Sequence, residues 1–97
     1  MSCAGLSVAM SAKVSPLEKL VLIAIGDCGG NDDNVFHAKM DYLRVVTFSS
    51  DDMIQEIIKR LVEQGVLLPA VDLIGNPGYR FNPKHPALDK EAVRYVS

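Results

Sequence analysis

Cysteine is scarce in this sequence. Cys3 and Cys28 are the only two in 97 residues, too few and too isolated for a disulfide framework or a four-ligand zinc site, and this favours a reducing compartment. Long hydrophobic runs are missing as well. The apolar stretch at 21–25 falls far short of the roughly 20 residues a bilayer-spanning helix needs, and no basic stretch precedes an apolar one at the N-terminus. The expectation is a soluble, cytoplasmic protein. Neither sign of charge dominates: the net charge of −2 and pI near 5.5 provide no global attraction to phosphate, so any nucleic-acid binding has to rest on a local basic patch. Recognisable catalytic constellations are absent too. No serine has a base in a known motif, Cys28 has no partnered histidine, and the glycines form no phosphate cradle. Asp27, Asn31, Asp32, Asp33 and Asn34 lack the ordered spacing and terminal glutamate of a calcium loop. His37 and His85 lie far apart, without cysteine or carboxylate at metal-ligand spacing. An enzyme is therefore not expected, nor is a metal or other cofactor.

What is present is a chain that is 48% hydrophobic and 23% charged, suited to one small core without internal repeats. Ser15-Pro16-Leu17-Glu18 combines an N-cap serine, a proline preset for the first helical position and a glutamate placed to close a capping box. The apolar residues that follow are spread widely enough for a central helix, expected to end at Gly26, Gly29 and Gly30. After a polar loop and a short extended piece at 35–38, a second helix is expected from Lys39 or Met40. It would turn Met40, Leu43 and Val46 inward and leave Asp41, Arg44 and Thr47 in solvent. Ser49 with Asp52 three residues later reads as the cap of a third helix. There Ile54, Ile57, Ile58 and Leu61 recur at i, i+3, i+4 and i+7, and Gly65 supplies the stop. A hairpin follows, with its turn expected at Asn76-Pro77-Gly78 and with Tyr79 and Phe81 facing the helices. Leu88, Ala92, Val93 and Val96 have helical spacing. Residues 1–14 are expected as an arm or short helix, 15–85 as the main domain and 86–97 as a C-terminal helix. Leu6, Met10, Leu88, Val93 and Val96 are surplus apolar residues at the two ends, and they suggest a homodimer.

The run from Ser15 to Ile25, a polar loop, and then Ile57-Ile58-Lys59-Arg60-Leu61-Val62-Glu63-Gln64-Gly65-Val66-Leu67 resemble the N-terminal domains of phage and plasmid replication proteins and related helix-turn-helix regulators. The resemblance implies a mainly α fold with a small β-hairpin, the winged helix-turn-helix, and a domain that binds double-stranded DNA in a replication or transcription regulator. In such proteins the capped helix enters the major groove and the wing touches the backbone. That places Ser50 and Gln55 near base edges and Lys59, Arg80 and Lys84 near phosphates. The helix departs from the pattern by presenting Asp51, Asp52 and Glu56, carboxylates that phosphate repels. Two of them also have a purely structural use as anions at a helix N-terminus. The alternative is a winged-helix protein-interaction module that does not bind DNA and uses Asp51, Asp52, Glu56 and the apolar hairpin residues Leu73 and Ile74.

Overall fold

A computed structural model of the protein describes residues 3–28 and 33–96. Among them are five helices and one antiparallel hairpin: α1 (Cys3–Ser11), α2 (Pro16–Asp27), α3 (Met40–Thr47), α4 (Asp51–Glu63), β1 (Leu67–Val71), β2 (Pro77–Phe81) and the single turn α5 (Lys90–Val93). None of these helices is long and apolar enough to cross a membrane.

α2 begins as its sequence dictates. The Ser15 hydroxyl accepts the Glu18 N–H, and the Glu18 carboxylate reciprocates on the Ser15 N–H at 3.0 Å, closing the capping box. The helix is central, touching α1, α3 and α4. Gly26 does not end it, however; it lies inside the helix, buried against Gly5 of α1. A methyl group on either glycine would strike the other's backbone, so the two helices cross at a distance only glycine permits. Gly29 and Gly30, the other expected stops, lie outside the described residues.

α3 ends at Phe48, whose backbone enters the left-handed region at φ +56° and whose N–H closes on the Arg44 carbonyl at 2.9 Å. Thr47, expected in solvent, is only 7% exposed. It tolerates burial because its hydroxyl donates to the Leu43 carbonyl at 2.7 Å, leaving no polar group orphaned. The cap of α4 is Ser50 rather than Ser49. Ser50 has extended backbone and accepts the Met53 N–H, whereas the Ser49 hydroxyl turns back to the Thr47 carbonyl.

α4 buries Ile54, Ile57, Ile58 and Leu61, and these join Leu22, Ile25 and Leu43 in one cluster. Each fully buried aliphatic side chain contributes about 1.5–3 kcal/mol. Gly65, at φ +80°, stops the helix as expected. The Val66 N–H reaches the Leu61 carbonyl at 2.9 Å and the Gly65 N–H reaches Val62 at 3.0 Å, the paired bonds of a Schellman termination.

The hairpin turn lies upstream of the expected Asn76-Pro77-Gly78. Asp72 builds it, one carboxylate oxygen accepting the N–H groups of Ile74 and Asn76, and Gly75 takes the positive φ of 91°. Pro77 and Gly78 are therefore strand residues. Gly78 serves close approach instead of a turn: a side chain there would sit 2.6 Å from the Phe36 carbonyl oxygen. Phe36 forms a one-residue bridge to Tyr79, exchanging both backbone bonds at 2.8 Å. Because the Tyr79 backbone points toward Phe36, its partner Pro69 on β1 loses no ladder bond, and proline is accommodated within the strand. Phe36 and Phe81 meet edge to face at 5.1 Å in the core.

The two ends of the chain close on each other. The Lys13 N–H donates to the Ala87 carbonyl at 2.8 Å, α5 packs on α1, and Leu88, Val93 and Val96 are buried in the same cluster as α4. The expected C-terminal helix shrinks to the one turn capped by Asp89. Three of the five residues that suggested a dimer thus pack within one chain, while Leu6 is half-buried and Met10 is exposed.

Candidate functional site

α4 and the hairpin flank an open groove of about 880 Å³. Its floor is apolar, formed by Met40 at the start of α3, Ile58 and Val62 of α4, and Pro69, Ala70 and Tyr79 of the hairpin. Gln55, Lys59 and Glu63 line it as well. Helical spacing explains that row, since Gln55, Lys59 and Glu63 recur every four residues along the α4 side facing the hairpin. Of the five residues expected to meet DNA, the groove brings together Gln55 and Lys59.

The other three lie elsewhere. The Ser50 hydroxyl is engaged as the cap of α4. Arg80 lies on β2 close enough to Asp33 to stabilise that carboxylate. Lys84 follows β2 and is exposed, its backbone N–H held by Asn82. Two arginines beside the carboxylates of α4 are engaged. Arg44 donates to Asp41 and, at 2.7 Å, to Asp51, and these bonds keep its guanidinium firmly protonated. Arg60 pairs loosely with Glu56 at 3.9 Å. The outward side of α4's first two turns therefore carries Asp51, Asp52 and Glu56, all exposed.

Leu73 and Ile74 stand at the hairpin tip, 83% and 84% exposed. Their backbone is held firmly. One Asp33 oxygen accepts the Leu73 N–H and the other accepts Val35, and these donated bonds keep the carboxyl below its ordinary range. His37 clips the base of the tip, its Nδ1 donating to the Pro77 carbonyl at 3.0 Å and its Nε2 lying 3.3 Å from an Asp72 oxygen. His85 is equally structural: Nε2 donates to the Gln64 carbonyl and Nδ1 accepts the Ala87 N–H. No group of three or more potential metal-ligating side chains occurs among the described residues; Asn31 and Asp32 fall outside them. Cys28 stays a thiol, because burial pushes its pKa up despite the nearby Lys39. Tyr42 donates to Asp27 at 2.6 Å, a bond that raises the phenol's pKa and ties α3 to the end of α2.

Sequence reasoning overlooked the outer corner of α3. Phe48 is 97% exposed and Val45 76%. The available signal is a phenylalanine in a position where glycine or asparagine would serve. No family model, curated protein or solved structure matches the chain.

Proposed function

We propose that this chain is a winged helix-turn-helix domain, of the build found in phage- and plasmid-type replication and transcription regulators, whose exposed helical surface meets a protein rather than duplex DNA. The fold reading is supported by the order of elements. α2 is followed by a bridge strand at Phe36, then α3, a short turn, the capped α4 and a hairpin whose second strand pairs with that bridge. One observation carries the choice of partner class. The face that would enter a groove of DNA presents Asp51, Asp52 and Glu56, while Arg44 is held by Asp41 and Asp51. Such a surface repels a phosphate backbone instead of displacing its counterions.

A DNA-binding domain is the second reading. It draws on the same element order and on Gln55 and Lys59, which share the groove beside the hairpin. Gln55 has the amide that reads adenine, and Lys59 has no ion-pair partner among the described residues. Titrating mixed-sequence duplex DNA into the protein at low and at physiological salt separates the two. The protein-module reading expects no complex at physiological salt. A retarded complex that persists there and weakens on Lys59→Gln substitution would establish DNA binding in its place.

A further inference from the structure

We propose that the corner between the outer face of α3 and the first turn of α4 is a docking surface for a partner segment in which arginine or lysine side chains flank large apolar residues. The proposal rests on the protein-module reading and adds the place of contact and the chemistry of the partner. Asp41, Arg44 and Val45 share one side of α3 at i, i+3 and i+4, and Phe48 is the left-handed residue that ends the helix at the corner. All four are exposed. Arg44 reaches across to Asp51, which fixes the start of α4, with Asp52, beside that side of α3.

Two features of the corner have no use in the fold. Phe48 is 97% exposed and holds a left-handed backbone conformation that glycine or asparagine adopts with less strain. Neither core packing nor helix termination calls for an aromatic ring there. Val45, 76% exposed, adds an aliphatic side chain on the exposed side of α3. Together they offer an apolar centre, with carboxylates around it and with Arg44 already clasped.

That charge pattern selects the occupant. A second copy of this chain would bring Asp41, Asp51 and Asp52 against their own kind, and an uncharged apolar partner would desolvate them without compensation. Nucleic acid and anionic membranes are repelled for the same reason. A segment with guanidinium or ammonium groups flanking an apolar residue satisfies both features: the cations meet the carboxylates, the apolar residue covers Val45 and Phe48, and an arginine can also stack on the Phe48 ring.

The test uses the full chain and a fluorescein-labelled 18-residue peptide of arginine and leucine, with leucine at i, i+3, i+4 and i+7. Fluorescence anisotropy should report saturable binding that weakens with salt. Phe48→Asn should weaken it at least tenfold while leaving the melting temperature unchanged or raised, and Asp52→Lys should weaken it through charge. Equal binding of a peptide with serine in place of leucine overturns the proposal, since contact would then be electrostatic alone. Undiminished binding by the Phe48→Asn variant also overturns it, because the peptide would be seated elsewhere. If the native chain binds neither this peptide nor duplex DNA, the docking surface falls while the protein-module reading stands. Should it bind duplex DNA at physiological salt and not the peptide, both fall.

Discussion

Replacing Gly26 with alanine sets two well-understood effects against each other. In an isolated helix the change stabilises, because glycine is about 0.8–1 kcal/mol worse than alanine in a helix interior. Here the added methyl carbon would lie 2.5 Å from the Gly5 carbonyl oxygen and 2.8 Å from its carbonyl carbon. Both atoms are backbone, so no side chain can swing aside. α1 would have to retreat by about 1 Å to restore ordinary van der Waals contact, loosening Val8 and Ala9, which are fully buried against the core. Overpacking of this kind costs about 1–3 kcal/mol. Subtracting the gain in helix propensity leaves a net loss of about 0–2 kcal/mol, with each kilocalorie lowering the melting temperature by about 4–8 °C in a domain of this size. Urea titration of the wild type and Gly26→Ala, followed by circular dichroism, measures the difference at the midpoint. A stabilised variant would show that α1 does not cross α2 at Gly26, and the placement of the N-terminal helix would then be wrong.

Leu61→Ala and Ile58→Ala should each cost about 2–5 kcal/mol, since both side chains are buried in the central cluster; losses below about half a kilocalorie in chemical denaturation would mean that another face of α4 is buried. Ser50→Ala should lower stability by about 0.5–2 kcal/mol through loss of the cap, more than Ser49→Ala does, and the reverse order would return the cap to Ser49. The Asp33 carboxyl is held below its ordinary pKa by two backbone N–H groups, so its stabilising effect is complete above the unfolded value of about 4 and is lost as pH falls through the lower folded value. Asp33→Asn should flatten the acid limb of the stability profile and speed amide exchange at Leu73; an unchanged limb would show that the carboxylate does not hold the hairpin tip.

The individual elements were legible in the sequence because their determinants are local. The capping box at Ser15 and Glu18, the i, i+3, i+4, i+7 stripe of α4 and the stop at Gly65 each depend on residues within a turn or two of one another. The same locality made the buried face of α4, Ile54, Ile57, Ile58 and Leu61, recoverable. Boundaries failed where two neighbouring residues were equally qualified. Either Ser49 or Ser50 can cap α4, and only the direction taken by the chain after Phe48 decided between them. Asn76-Pro77-Gly78 is sound turn chemistry, but Asp72 and Gly75 turn the chain first, and Gly78 is needed for the approach of Phe36, which is remote in sequence.

Tertiary structure alone determined the rest, since it depends on pairs of residues that no local pattern relates. Gly5 against Gly26, Lys13 with Ala87, Phe36 with Tyr79 and Asp33 with Leu73 are all contacts of this kind. They turned the apolar residues near the C-terminus from a proposed dimer surface into core. The character of the surface was decided in the same way. The composition contains nearly equal numbers of cations and anions; which carboxylates are neutralised and which stand free depends on Arg44 reaching from α3 to the start of α4. The sequence determined that α4 would be acidic on its outward side, and the fold determined that an exposed aromatic corner would stand beside it.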